Sequence, residues 1–566
     1  MPDKIWKIHP EASDDVVDAL GVHRVQAQLL YNRGLRSADE IEPFLNAGAE
    51  LGHDPFLLPD MDKAISRLQA ALDNQETIGV LGDFDTDGLS GTAVVMIALQ
   101  SLGMHVVPYI PHRVNEGHGV NETAVNEFSN AGATVMITVD CGTSSEPEIN
   151  LAASLGIDTI VTDHHTLPAN PPNAVAMVNP QSDDSRYPFI HLTGAGLAYK
   201  LIEALWQTLG KARPEHLLEL TTLGTVSDVA PLVGENRYFV TEGLRRLNST
   251  DHPGLAALMD QANITRGSID TRELSFGIIP RINAAGRIDD ALVSLKLLTA
   301  QTQEVAGPIA ETIDAQNQTR RKISSEGIQS AKEQIATQYN GHLPPVIFVQ
   351  DSNWIPGILG LIASSIAETY HRPVIAVQIE NGLARASARS IPEFNMIDAL
   401  RRSKSEFVRY GGHSQAAGFT IETDALSSLK SAMMKLAESE LAGKTLLPSI
   451  DIDYETSPFD LVGPNFKFIN SLAPFGVGNP APVFISRGAH VRNIKLVGRG
   501  KAHLRMTIEH GGRVWDAFAF RQGHKPVALG DKIDVVYNIT ESVWNGRSLI
   551  ELSVLDFRVS SGNRQH

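Results

Sequence analysis

Eight acidic and imidazole side chains fall where they could do chemistry together. The stretch "DFDTDG" sets Asp83, Asp85 and Asp87 at alternate positions ahead of Gly88. Asp140 closes "TVMITVD", the triplet Asp163, His164, His165 follows "IDTIVT", and Asp228 lies in "TTLGTVSDVAPL". Clustered carboxylates repel unless cations or protons neutralise them. Carboxylate oxygens with one or two imidazoles suit Mn²⁺ or Mg²⁺ better than calcium or a thiolate-bound zinc. Two such ions sharing one carboxylate can activate a water and stabilise a leaving phosphate oxygen. A calcium EF-hand begins with a similar pattern, but it needs a glutamate at its twelfth position and helices on both sides. Counted from Asp83 that position is Val94, and "TIGVLG" upstream reads as a strand. Taken singly, Asp140 or Asp228 is equally a helix cap, and His164 or His165 a surface or core residue. One cap needs one carboxylate, so the triple-aspartate turn asks for more.

The elements that must hold these residues follow from the hydrophobic pattern. From 76 to about 180, the short apolar runs "TIGVLG", "HVVPYI", "TVMITVD", "IDTIVT" and "AVAMVN" alternate with helical segments. That alternation predicts an α/β domain with a doubly wound, mainly parallel sheet, whose functional groups collect at the carboxyl ends of strands. No G-x-G-x-x-G follows the first strand, which excludes a Rossmann oxidoreductase. Residues 1–75 read as a mostly helical lead-in, and 76–300 as the catalytic domain with a helix-rich second half. Residues 301–343 form a polar connecting helix broken only by an early Gly and Pro. A second α/β domain is expected over 344–445, with strands "PPVIFV" and "RPVIAVQI". Over 446–566 a linker leads into short strands separated by Gly turns, predicting an all-β barrel or sandwich.

Over 566 residues the net charge is −17, which by itself argues against a polyanionic partner. Its distribution argues otherwise: residues 485–566 carry 13 Lys/Arg against 7 Asp/Glu, a net of +6. The remaining 484 residues then hold −23. No apolar run approaches the ~20 residues of a membrane span, and the N-terminus lacks a signal-peptide core. The single cysteine, Cys141, excludes an internal disulfide and fits a reducing cytoplasm.

In order along the chain, "DFDTDG", "VDCG", "DHH", "SDVAPL", "RINAAGRI" and "RYGGHSQAAGF" resemble the motifs of the DHH phosphoesterase superfamily. With the connecting helix and C-terminal barrel, the resemblance is to the family of single-stranded-DNA-specific exonucleases within it. It implies a DHH domain, a DHH-associated domain and an OB-like DNA-binding barrel. The implied activity is 5′→3′ hydrolysis of single-stranded DNA in recombination and repair, with two Mn²⁺ or Mg²⁺ ions. By motif position Asp85, Asp87, Asp140, His164 and Asp228 would hold the ions, Asp140 bridging. Asp83 would join or flank them, and His165 would stand behind the ligands or near the scissile phosphate. Many superfamily members carry a histidine where this chain has Leu81, so Asp83 or water would fill that position.

The same resemblance assigns substrate contacts. Gly411, Gly412 and His413 would grip phosphate, and Ser387 and Arg389 would bind the DNA terminus. His112 and Arg113 follow a strand, where Arg113 could pair with a 5′ phosphate. Arg281 and Arg287 would line the cleft or pair with its acids. Trp515, Phe518, Phe520 and Trp544 are candidate base-stackers or core residues of the barrel. Single-stranded DNA is the expected partner, with a helicase and a single-strand-binding protein as further candidates, no membrane, and a monomeric state. Two rival readings share the motifs: a phosphodiesterase for very short oligonucleotides or cyclic dinucleotides, and a non-catalytic DNA-binding replication factor.

Overall fold

A computed structural model of the chain describes residues 4–544 and 547–560, with the side chains of 542–548 outside that description. Two compact units emerge, one formed by residues 49–446 and one by 4–48 together with the described residues from 447 onward.

The first unit is built on five parallel strands: β1 (Thr77–Gly82), β2 (His105–Tyr109), β3 (Ala133–Val139), β4 (Asp158–Thr162) and β5 (Ala176–Val178). Their order is β2-β1-β3-β4-β5. Alternation along β1 covers both faces. Ile78 and Val80 enter one core, with Leu89, Val94 and Leu197. Leu81 enters another, with Val125, Phe128 and Met136. Helices α1 (Thr86–Ser101), α4 (Gly194–Thr208) and α5 (Leu218–Ser227) pack together beside the first core. Helices α2 (Glu122–Asn130) and α3 (Glu146–Ser154) supply the second. The sheet is therefore doubly wound, and its strand order reverses between β1 and β3. At such a switch point the two outgoing loops diverge and leave a crevice at the carboxyl ends of the strands.

After α6 (Ile279–Ile288), helix α7 runs unbroken from Gln303 to Tyr339, 37 residues. Pro308 sits near its start and does not end it. Its buried residues Ala306, Ala310, Ile313 and Asn317, then Ser324, Gly327, Ala331 and Ile335, recur every three to four positions. The first group packs against the catalytic domain and the second against α8 (Pro356–Tyr370). Helix α7 thus joins two sheets. The second sheet comprises β6 (Ile347–Gln350), β7 (Val374–Glu380), β8 (Leu383–Arg389), β9 (Phe407–Gly412) and β10 (Ala416–Glu422), ordered β9-β10-β8-β7-β6. Only β6 and β7 pair in parallel.

In the second unit, β11 (Phe484–Val497), β12 (His503–His510), β13 (Arg513–Ala519), β14 (Lys532–Trp544) and β15 (Arg547–Val559) form a closed barrel. Neighbours pair around the ring, β13 with β15 in parallel, and β14 returns to β11. Full closure removes exposed strand edges. The barrel core includes Phe484, Leu504, Trp515, Tyr537 and Leu552, and residues Val25, Leu29 and Leu30 of an N-terminal helix complete it. Strand Ile5–Ile8 pairs in parallel with Ser449–Ile452, so the two distant segments fold as one body. Among the described residues no helix is long and apolar enough to cross a membrane.

Candidate metal centre and phosphate pocket

The acidic residues converge at the crevice. Asp83, Asp85 and Asp87 leave β1, Asp140 leaves β3, and Asp163, His164 and His165 leave β4. Asp228 caps the carboxyl end of α5. Three overlapping groups place one donor atom per residue within 4.8 Å of each other: Asp83, Asp85, Asp140; Asp87, His164, Asp228; and Asp140, His164, His165. His164 Nε2 lies 3.1 Å from Asp140 Oδ1 and 3.9 Å from Asp228 Oδ2.

Local backbone chemistry aims each carboxylate. Asp85 caps α1, its Oδ1 accepting from the amides of Asp87 at 2.9 Å and Gly88 at 3.3 Å. The amides of Gly194 and Ala195, at the start of α4, donate to Asp87 Oδ2 and Oδ1 at 2.7 and 2.9 Å. A helix N-terminus favours an anion there. A methyl group on Gly194 would overlap Asp140, so α4 can sit this close only because that residue has no side chain. Asp140 itself adopts a left-handed backbone with φ 62°, as does Val229 beside Asp228 with φ 60°. For a β-branched residue that conformation is costly, and such strain concentrates at functional sites.

Protonation follows from crowding and burial. Burial, then Asp85, pushes Asp83 up to about 7. Burial and neighbouring carboxylates raise Asp87 and Asp140 well above the ordinary range. Burial, then Asp85, lifts Asp228 to about 6. His164 is lowered to about 4 by burial and by His165. A cluster that must hold protons when bare is one that cations would neutralise. The donor set suits a hard divalent ion, and Asp83 Oδ1 is buried without a hydrogen-bond partner, a bonding capacity that a cation would satisfy. Leu81 is fully buried in the apolar core behind β1 and offers nothing to the centre.

Asp163 has a role that the sequence alone did not single out. Its Oδ1 lies 2.7 Å from His165 Nδ1, and its Oδ2 accepts from the Thr143 amide at 3.0 Å. Burial opposes its charge, yet the His165 bond and Thr143 hold it at about 2. In return the Asp163 bond raises His165 to about 9. The ring of His165 stacks on His413 of the second sheet, centroids 6.4 Å apart. His413, directly after β9, therefore lies beside the acidic centre, and Gly411 and Gly412 lead into it at the end of that strand.

Beside them lies a cavity of about 460 Å³ lined by Arg113, Ser387 and Arg389, together with Arg385, Arg409 and His118. Arg113 lies 4.0 Å over the Phe84 ring and its Nε is buried without a partner. Burial lowers it, against the pull of Asp85 and Asp83. Arg389 Nη1 donates to Ser387 Oγ at 3.2 Å. Of the two remaining predicted arginines, Arg281 is engaged away from the cavity, whereas Arg287 lies buried with Arg113, Asp85 and Arg389 among its charged neighbours. Arg281 forms an ion pair with Asp314 of α7 at 2.8 Å and donates to the Gly277 carbonyl, so the structure uses it to pack α6 on the connecting helix. Arg287 donates to the Gly357 carbonyl at 3.1 Å, and burial with nearby Arg113 and Arg320 lowers it to about 9. His112 caps its own turn, accepting from the amides of Val114 and Asn115.

On the barrel, Trp515 is a core residue and Phe520 is exposed, stacked on His503 at 4.4 Å. Phe518 is half-buried beside them, and the side chain of Trp544 lies outside the described residues.

A doubly wound domain with Asp-His-His at its crevice, joined to a second sheet carrying Gly-Gly-His, defines a DHH phosphoesterase. Family models agree: residues 77–225 match the DHH family N-terminal domain, 343–439 the DHHA1 domain, and 452–556 the RecJ OB domain. The single-stranded-DNA-specific exonuclease RecJ of Bacillus subtilis is 33% identical over 562 residues, 98% of this chain and 71% of that protein. The Escherichia coli RecJ is 32% identical over 563 residues, 95% of this chain and 93% of that protein. The crystal structure of RecJ in complex with Mn²⁺ from Thermus thermophilus superposes with a TM-score of 0.85 at 29% identity, covering 98% of this chain and 80% of that one. A second structure of the same protein contains Mg²⁺, with a TM-score of 0.78, 28% identity, and coverage of 98% and 78%. The chain belongs to the RecJ family.

Proposed function

We propose that this protein is a metal-dependent exonuclease that hydrolyses single-stranded DNA from the 5′ end, in recombination and repair. One observation carries the reading: the Asp/His centre opens beside a cavity rich in arginine, so a phosphodiester and a terminal phosphate can be held together. Asp83, Asp85, Asp87, Asp140, His164 and Asp228 would hold two Mn²⁺ or Mg²⁺ ions, Asp140 between them. Such ions, when bound, acidify a water and neutralise charge on the scissile phosphate.

The chain's own residues do the rest. Arg113, Ser387 and Arg389 bind the 5′ phosphate, and Gly411 and Gly412 let the backbone approach the strand. Asp163 holds His165 at Nδ1, which leaves its Nε2–H for a phosphate oxygen and for the departing 3′ oxygen. Contacts to phosphate rather than base edges give little sequence preference and strong salt dependence. Residues 76–300 carry the chemistry and 344–445 grip the strand, with 301–343 as spacer. Residues 446–566 add the linker and basic barrel, where Phe520 offers a stacking face, and 1–75 form the lead-in. The enzyme works in the cytoplasm as a monomer, on strands exposed by a helicase and a single-strand-binding protein.

The test is degradation of single strands carrying a 5′ phosphate and a label at either end, with Mn²⁺ or EDTA. Release of mononucleotides from the 5′ label, inert blunt duplex and an inactive Asp140→Ala protein are expected. Cleavage confined to di- to tetranucleotides would replace this reading with that of a small-oligonucleotide phosphodiesterase.

A further inference from the structure

The cavity holds more positive charge than one terminal phosphate requires. On β8, Arg385, Ser387 and Arg389 alternate with the buried Ala384, Ala386 and Ala388, so the three polar side chains share one face. The register pairs Ser387 with Gly418 and Gly418 with Gly411, a row almost bare of side chains. The next row is Arg385, Thr420 and Arg409, about 7 Å further along the strands. It lies on the far side of the bare row from His413, and hence further from the acidic centre. Arg409 also reaches across to the catalytic domain: its guanidinium lies over Gly117 (φ 83°), where a methyl group would overlap it. Among the described residues Arg385 and Arg409 form no ion pair, and no carboxylate lines the cavity.

We propose that this second row is a polyphosphate subsite, and that the pocket accepts a single strand whose first nucleotide keeps its 5′ triphosphate. The inference rests on the exonuclease reading. The innermost phosphate takes the place of a 5′ monophosphate at Arg113, Ser387 and Arg389, and the outer two reach Arg385, Thr420 and Arg409. Planar guanidinium forks match phosphate oxygens in charge and geometry. The hydrolysis is unchanged: water adds to the first internucleotide phosphorus, the P–O3′ bond breaks and the 3′ oxygen takes a proton. The first product is a nucleoside 5′-triphosphate, and the shortened strand carries a 5′ monophosphate. Only the first turnover therefore uses the outer arginines. Reactions that begin a strand from a nucleoside triphosphate, without a primer, supply such ends.

The experiment compares binding of 3′-labelled single strands of one sequence with 5′-hydroxyl, 5′-monophosphate and 5′-triphosphate ends, by fluorescence anisotropy in EDTA. The triphosphate end should bind about tenfold tighter than the monophosphate. In the Arg385→Ala/Arg409→Ala protein that ratio should fall to about one, with thermal unfolding run alongside to check the fold. With Mn²⁺, the first product from the triphosphate strand should be a nucleoside triphosphate. A wild-type ratio near one, or a double variant that weakens both ends in equal proportion, overturns the proposal. Displacement of the probe by free ATP as effectively as by an unlabelled triphosphate strand also overturns it, assigning the row to free nucleotide. If monophosphate strands are hydrolysed but no triphosphate preference exists, this inference alone falls. If no strand is hydrolysed, the exonuclease reading falls with it.

Discussion

At the scale of single residues, the centre is a set of carboxylates held too close to be charged together. Asp83 and Asp228 take up protons near pH 7 and 6, and burial with the neighbouring carboxylates raises Asp140 well above the ordinary carboxylate range. In the unfolded chain the same groups titrate near ~4. Between those limits the folded state binds more protons, so the metal-free protein gains stability from this cluster in acid and loses it as pH rises through about 6 to 7. Divalent ions replace those protons. Removing metal with EDTA should therefore lower Tm more at about pH 8 than at about pH 5.5. An equal drop at both would show that the carboxylates do not carry the metal dependence. Asp163 bears on His165 rather than on substrate. Asp163→Asn should cost roughly 10–100-fold in activity with the fold intact, since partners of this kind orient the groups that act. If His165 acts as a proton donor, the alkaline limb of the rate–pH profile should move from near 9 to lower pH in this variant, because the Asp163 bond is what raises His165.

At the scale of elements, helix α7 sets the distance between the two sheets, and a part-buried ion pair fastens it. Arg281 and Asp314 are 14% and 13% exposed, so removing the arginine leaves a carboxylate with little water to turn to. Arg281→Ala should destabilise by about 2 kcal/mol, below the range for fully buried pairs. It should change affinity for a 5′-phosphorylated strand far less than Arg389→Ala does. Urea unfolding and strand binding on the two variants separate packing from recognition. If Arg281→Ala weakens binding as much as Arg389→Ala while stability holds, Arg281 belongs with the substrate contacts after all.

At the scale of the whole molecule, the two ends of the chain make one body. Val25, Leu29 and Leu30 are buried in the barrel core, and strand Ile5–Ile8 pairs with Ser449–Ile452. A fragment ending at residue 446 keeps the N-terminal segment but strips it of its partner. It should expose those apolar residues, aggregate on size-exclusion chromatography, and lose residues 4–48 early in limited proteolysis. A fragment of residues 49–446 should stay soluble and fold cooperatively. Equal behaviour of the two would mean that the N-terminal segment does not need the barrel.

The strands of the catalytic sheet, the connecting helix and the barrel were legible in the sequence because each is stated by local periodicity. The five apolar runs became β1 to β5, and Asp83, Asp140 and His164 met because every such run ends at the same edge of a parallel sheet. Strands β8 to β10 were not foreseen: "LARASAR" and "AAGFTIE" are short and do alternate, but their buried positions are mostly small Ala residues, too weakly apolar to announce a strand. Local pattern also could not tell Arg281 from Arg389. Both are arginines near alanines, and only the fold hands one an aspartate from α7 and leaves the other facing a cavity. The sequence by itself determined which groups could bind metal and which strands carry them. Tertiary structure alone decided which arginines are left without a carboxylate, how Asp163 turns His165, and that residues 4–48 belong to the barrel. Those outcomes depend on contacts between segments far apart in the chain, which no local spacing encodes.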